Sequence, residues 1–273
     1  MDRFINLPTA VMRAVGGLSR PLTRHITYTT RSGIAAGLKR KGGLGFLPRA
    51  IGDEERFYLG LDLTGKVVYD IGSYEGIFSM FAARAVGDSG TVIICEPNPW
   101  CFQNTRCNLD LNHFGCKILM ENAALGERRS TMKMVQPKRE PARSTLNGDI
   151  ADRIKTTEEF VTFETRVERL DDLVAERNWP APDFIKVDTE GVELAVLKGA
   201  AQTLATHKPE LLVEMDGTTP ESWAANFRAI HRFLSGIGYG VWNLYGKQLA
   251  ETDSGDYIYC KAEVGNQGLG IRD

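Results

Sequence analysis

The sequence predicts an α/β fold around an open sheet, and three observations predict it. Residues 67–70 form an apolar run ending in Asp70, Gly72 to Gly76 bound a glycine turn, and residues 77–86 carry apolar side chains at helical spacing. That order reads as strand, turn and helix. A second apolar run, 91–95, ends at Glu96 and Pro97, and two later runs end at Asp188 and Asp216. In an open α/β sheet such turns lie at the carboxyl ends of the strands, where ligands bind and helix N-termini offer free N–H groups.

Taken in order, the chain begins with a charge asymmetry. Residues 1–50 contain nine Lys or Arg against Asp2, a local charge of +8 that leaves −10 on the remainder. Phe4, Leu7, Val11, Val15 and Leu18 recur at helical spacing before Pro21 and the run Gly42, Gly43, Gly45 interrupt. Three readings of this arm stay open: a helix packed on its own domain or on a neighbouring subunit of an oligomer, a cap over an anionic or bulky acceptor, or peripheral attachment to an acidic membrane surface.

After the glycine turn and the strand at 91–95, Asn98 and Pro99 open a helix through Leu111, with Cys101, Thr105, Asn108 and Asn112 making one face polar. Residues 117–126 read as a strand running into a turn. The stretch 131–166 is the least regular, with a short strand at 132–135, a polar loop over 136–149 and strand-like alternation at 160–167. Residues 170–173 begin a short helix ended by Pro180 and Pro182, 183–188 is a strand, and 192–206 is a helix. A strand at 211–216, a helix at 223–234, an extended segment at 239–244 and a last strand at 257–260 complete the chain.

Composition bounds the class. The 273 residues are 42% hydrophobic and 25% charged, which suits one or two globular domains, and the net charge of −2 carries no nucleic-acid-binding signature. The five cysteines are odd in number and lack C-x-x-C pairs, so neither a disulfide framework nor a zinc cluster is expected and the cytoplasm is the natural location. No apolar h-region with a cleavage site marks a secretory signal, and no stretch approaches the roughly 18 apolar residues of a membrane span.

Two cofactor classes use a glycine turn at a strand end. Dinucleotide enzymes want G-x-G-x-x-G, whereas this turn is Asp70-x-Gly72-x-x-x-Gly76. That pattern resembles the first motif of S-adenosylmethionine-dependent methyltransferases. Glu96 lies 24 residues beyond Gly72, the offset at which an acid accepts hydrogen bonds from ribose hydroxyls. Asn122 beside Ala123 offers a polar edge and room for a flat adenine ring.

Three blocks resemble one family more closely: residues 68–76, the run Glu96-Pro97-Asn98-Pro99, and residues 185–200 around Lys186-Val187-Asp188-Thr189-Glu190-Gly191. They are similar to the FkbM-type S-adenosylmethionine-dependent methyltransferases, with shorter matches at 122–126, 170–173 and 209–214 in that family's order. The resemblance implies a class I methyltransferase (Rossmann-like) fold, a seven-stranded, mostly parallel sheet with its last strand antiparallel and helices on both faces. The match covers roughly residues 65–217; with the charge asymmetry, the chain divides into a basic, partly helical extension, 1–50, and an S-adenosyl-L-methionine-binding domain, 51–273. The resemblance implies O-methyl transfer to a hydroxyl of a sugar, glycan or polyketide-type natural product. Asp70, Gly72 and Gly76, with Ser73 and Tyr74 of the same turn, are expected to hold the methionine portion, Glu96 with Pro97 the ribose, and Asn122 with Ala123 the adenine; Asp188 and Glu190 are expected beside the sulfonium.

Chemistry independently asks for acids there, because an alcohol attacks a methyl sulfonium only when its proton has an acceptor. Asp188, Glu190 and Glu214 are the candidate catalytic carboxylates, whereas His113 and His207 lack a strand-end position. A second reading of the acids is a divalent cation orienting a vicinal diol. A catalytically silent scaffold or binding protein of the same fold is the rival function, and a dehydrogenase, lacking its glycines, is the third.

Overall fold

The computed structural model describes residues 23 and 25–263. The helical spacing from Phe4 to Leu18 lies outside them. The elements in chain order are β1 (Thr27–Thr29), β2 (Lys39–Lys41), α1 (Asp53–Leu59), β3 (Val67–Ile71), α2 (Ile77–Ala85), β4 (Thr91–Cys95), α3 (Pro99–Asp110), β5 (Lys117–Glu121), β6 (Ala124–Leu125) and β7 (Ser130–Pro137). After a 3-10 turn at Pro141–Arg143 come α4 (Gly148–Thr157), β8 (Phe160–Glu168), α5 (Leu170–Glu176), β9 (Phe184–Val187), α6 (Glu193–Gly199), α7 (Ala201–His207), β10 (Glu210–Glu214), α8 (Pro220–Gly236), β11 (Tyr239–Trp242) and β12 (Tyr257–Ala262).

Seven strands form the central sheet in the order β11-β12-β10-β9-β3-β4-β5. Pairings β9 with β10, β3 with β9, β3 with β4 and β4 with β5 are parallel, and the last strand, β12, runs antiparallel to both neighbours. This is the class I methyltransferase (Rossmann-like) arrangement. Its parallel strands are apolar on both faces because each face is covered. Tyr69, Ile71, Ile93, Ile185 and Val187 enter one buried cluster, while Val68, Val92, Ile94 and Phe184 enter the other. No helix among the described residues is long and apolar enough to cross a membrane.

Three stretches differ from or add to the sequence expectation. No element is expected over 25–50, where Thr27–Thr29 and Lys39–Lys41 pair as an antiparallel hairpin; the helical expectation for the extension falls on 4–18, outside the described residues. The hairpin is held by α3 and the residues just after it: Asn112 accepts from the Lys39 N–H at 2.8 Å and Asn108 from the Lys41 N–H at 2.9 Å. The irregular stretch is a long hairpin, β7 on β8, and α4 lies between its strands, beginning at the end of the expected polar loop and running through residues given no element. Asn147 caps that helix by accepting from the Asp149 and Ile150 N–H groups. The single helix expected over 192–206 is broken into α6 and α7. Asp171 of α5 accepts from the Gln202 and Thr203 N–H groups at 3.1 and 2.8 Å, so a neighbouring helix satisfies the second N-terminus.

Gly72, just after β3, has φ +82, and a Cβ there would stand 1.7 Å from the carbonyl oxygen of Asp188. The two site-bearing turns therefore touch through backbone. Gly72→Ala is expected to cost about 1–3 kcal/mol from the left-handed conformation alone and to push the Asp188 turn away. An unchanged denaturation midpoint would contradict that close approach.

Candidate functional site

The parallel β3, β4, β9 and β10 end on one edge, and their turns supply the site. Asp70 ends inside the sheet: it is fully buried, accepts from the Ser79 hydroxyl, and faces the Lys186 ammonium at 3.6 Å. Lys186 Nζ also lies 2.8 Å from Asp188 Oδ2 and donates to the Gly72 carbonyl at 3.2 Å. Burial works against that ammonium, but Asp188 and Asp70 outweigh it and hold it charged above the ordinary lysine range. Burial pushes the Asp70 carboxyl up, and Lys186 and Ser79 oppose the push. Asp70 thus fastens β3 to β9, and Asp188 and Gly72 are what face outward.

The glycine turn is shaped to leave backbone exposed. Tyr74, with φ +52, sends its N–H to Glu96 Oε2 at 2.8 Å, and its carbonyl accepts from Thr105 of α3 at 2.8 Å. Ser73 is buried with its hydroxyl 3.4 Å from that of Thr105. A Cβ on Gly76 would stand 2.7 Å from Thr105 Cγ2, so α3 packs directly on the turn. Glu96 is buried just beyond β4. Burial pushes its carboxyl up to about 8 even though Asn98 and Tyr74 donate backbone N–H groups to it.

Glu96, Pro97 and Ala123 line a cavity walled by Ile71, Cys95, Leu125 and Met134 and roofed by Pro141, Ala142, Ser144 and Leu146. Asn122 does not line it. Its amide donates to the carbonyls of Glu96 and Pro97 at 2.7 and 3.2 Å, fixing the strand end rather than offering an edge to a ring. The roof went unread in the sequence because its residues share no periodicity. It is held by long-range polar contacts: Asn98 donates to Gln136 at 2.7 Å, Thr145 to the Glu190 carbonyl at 2.6 Å, and Asn147 to the Gly191 carbonyl at 2.7 Å.

Asp188, Glu190 and Glu214 all line that cavity, and Glu190 and Glu214 also line a second one of about 670 Å³. The second is walled by the hairpin segment (Arg40, Gly43, Gly45), by Glu140 and Arg143, and by Asp216. Its arginines are paired, Arg40 with Glu75, and Arg143 with Glu158 at 2.7 Å and Glu140 at 3.3 Å. A third cavity, of about 980 Å³, lies on the α1 side, lined by Glu54, Tyr58, Lys186, Asp188 and Tyr257. Tyr74 lines all three.

The strand-end acids have distinct environments. Among the described residues no hydrogen bond or ion pair engages the Glu190 carboxylate, whose backbone sits at φ +56. Burial, then Asp216 and Asp188, push it up to about 8. Burial and the neighbouring Asp188 push Glu214 up to about 10, and burial with Glu193 pushes Asp216 up to about 7. Asp216 Oδ2 has no hydrogen-bond partner among the described residues. Those residues also contain no group of three His, Cys, Asp or Glu placed to hold a metal ion. The sequence reading missed Lys186, whose signal was a lone charge inside an apolar strand, and it missed Glu54 and Tyr257, which carried none.

Comparison with protein-family models matches residues 70–241 to the methyltransferase FkbM domain. No curated protein matches the chain. Among solved structures the chain is similar to methyltransferase FkbM from Methylobacillus flagellatus KT, at 18% identity and a TM-score of 0.49, covering 74% of this chain; it spans 45% of that chain's length. It is similar to the O-methyltransferase of Bacillus cereus solved with SAH, at 13% identity and TM-score 0.43, with 76% and 79% of the two chains covered. It is similar to TomG, an O-methyltransferase of Streptomyces achromogenes involved in tomaymycin synthesis and solved with SAM, at 14% identity and TM-score 0.46, with 81% and 84% covered.

Proposed function

The chain belongs to the FkbM methyltransferase family, and from that premise we propose that it moves the methyl group of S-adenosyl-L-methionine to a hydroxyl of a sugar, glycan or polyketide-type natural product. The observation that carries this reading is the meeting of two cavities at Glu190 and Glu214, one largely apolar with Glu96 at its edge, the other polar and about 670 Å³. A cavity of that size accommodates a sugar-sized acceptor.

The residues fit the cofactor. Gly72 lets its turn approach the Asp188 turn through backbone, Glu96 lines a cavity whose walls at Ala123, Leu125 and Met134 suit a flat ring, and Asp188 stands where a cation is favoured. Bound there, the cofactor supplies an electrophilic methyl on a sulfonium. Lys186 holds Asp188 in place at 2.8 Å. Glu190, free of protein partners among the described residues, orients the acceptor by accepting its hydroxyls, and Glu214 takes the proton of the hydroxyl that attacks. In this reading 1–50 is an extension, of which Arg40 and Gly43 wall the acceptor cavity, and the cofactor-binding domain is assigned to 51–273.

Calorimetric titration with S-adenosylmethionine and with NAD tests the cofactor. The former alone is expected to bind, and Glu96→Ala is expected to weaken it by about 1.5–3 kcal/mol, the loss of hydrogen bonds to a carboxylate. Incubation with glycosides and macrolides, read as a mass gain of one methyl group, tests the acceptor. Binding of NAD with no binding of S-adenosylmethionine would overturn the reading.

A further inference from the structure

We propose that Glu214, Tyr257 and Glu54 form a proton relay that carries the acceptor's hydroxyl proton from the methyl-transfer site through the β-sheet edge into the cavity beside α1. The inference rests on the proposed methyl transfer and adds residues that no part of that reading requires.

The geometry is a single hydroxyl between two carboxylates. Tyr257 Oη lies 3.2 Å from Glu214 Oε1 and 3.2 Å from Glu54 Oε2, and Glu54 Oε1 accepts from Tyr58 at 2.8 Å. A phenol has one proton. Both contacts become full hydrogen bonds when one carboxylate accepts that proton and the other acid, itself protonated, donates to the phenol oxygen. Both acids are buried enough to hold one: burial pushes Glu54 and Glu214 upward, with Asp188 adding to each and Lys186 opposing. Asp70, Asp216 and Tyr58 are the remaining titratable groups facing the chain of contacts.

The two ends open on different spaces. Glu214 lines the cofactor and acceptor cavities, whereas Glu54 and Tyr257 line the third cavity. The third shares Gly72, Tyr74 and Asp188 with the first, but Glu54 and Tyr257 line neither of the first two, so Glu54 lies beyond Tyr257 from both. The step balances by exchange. Glu214 begins protonated and passes its proton to the Tyr257 oxygen, while the Tyr257 O–H bond breaks and its proton joins the ionised Glu54; Glu214, now a carboxylate, takes the acceptor's hydroxyl proton. Tyr257 and Glu214 end as they began, and one proton has moved from the acceptor to Glu54.

The test uses the full chain in two arms. In the first, wild type, Tyr257→Phe and Glu54→Gln are labelled with ¹³C at glutamate carboxyls and titrated by NMR without cofactor. In wild type the Glu54 and Glu214 signals are expected to show each other's titration step; in Tyr257→Phe each is expected to titrate once. Independent titration of the two in wild type would overturn the relay, whatever the enzyme's activity. In the second arm, on whichever acceptor is methylated, Tyr257→Phe is expected to lower kcat about tenfold with KM unchanged, less than the 10² to 10⁴ of losing a base. The solvent isotope effect is expected to rise, and added imidazole is expected to restore turnover. Wild-type kcat in Tyr257→Phe, or a loss that imidazole leaves untouched, would reject the relay. Absence of methylation in wild type would count against the methyl-transfer reading and leave the NMR arm to decide.

Discussion

Lys186→Met is expected to lower folding stability by about 3–5 kcal/mol, the cost of removing one partner from a buried ion pair. The lysine is 6% exposed, and methionine keeps most of its volume, so packing is preserved while the charge is lost. What remains is Asp70, fully buried, with Oδ1 lacking a hydrogen-bond donor among the described residues, and Asp188 without its partner at 2.8 Å. The loss has a sign in pH. Asp70 already holds its proton more tightly than an ordinary aspartate, and without the ammonium that tendency grows. A carboxyl with a raised folded value contributes stability that is complete below its unfolded value and lost as pH rises through the folded one. The deficit of the variant against wild type is therefore expected to be smallest at acid pH and to widen above it. Urea denaturation at pH 5 and pH 8 checks this, and a deficit under 1 kcal/mol at pH 8 would show that β3 and β9 do not depend on the pair.

Glu214→Gln is expected to reduce turnover by about 10² to 10⁴ while the affinity for S-adenosylmethionine changes little. In the ligand-free chain burial and Asp188 hold the carboxyl up to about 10, so it carries a proton at neutral pH. A bound cation beside it favours the ionised form, and that preference disappears once the positive charge is consumed, which draws the hydroxyl proton onto Glu214 as the methyl moves. Turnover of the wild type is accordingly expected to rise with pH along an acid limb lying below about 10, and the limb is expected to vanish in the amide. Glu190→Gln provides the contrast: its carboxylate has no protein partner among the described residues, and its loss is expected to raise the acceptor KM more than it lowers kcat. If the Glu214 amide turned over at the wild-type rate, the proton would have to leave through another group.

Much of the architecture was legible because parallel strands announce themselves. Val67 to Ile71, Thr91 to Cys95 and Phe184 to Val187 are apolar on both faces apart from the paired Asp70 and Lys186, and each is followed by a turn carrying an acid. Strand-end position alone was enough to name Asp188, Glu190 and Glu214, which the structure places around shared cavities. Asn122 was named on residue type, and its amide nitrogen donates to the Glu96 and Pro97 carbonyls. The difference is direction: periodicity tells which strand ends on an edge, and says nothing of which way a polar side chain turns.

The sequence by itself determined the sheet, the glycine turn and the family, since local apolar spacing and short motifs depend on neighbours along the chain. Tertiary structure alone decided the rest. The hairpin of β1 and β2 exists against Asn108 of α3 and Asn112 just beyond it, and the roof over the apolar cavity is tied down by Asn98, Thr145 and Asn147 across 38 to 46 residues of chain. Lys186 reaches Gly72 over a separation of 114 residues, and Tyr257 reaches Glu54 over 203. Such contacts satisfy polar groups that burial would otherwise leave unpaired, and their partners are chosen by where the sheet brings distant segments together, a choice that no local pattern encodes.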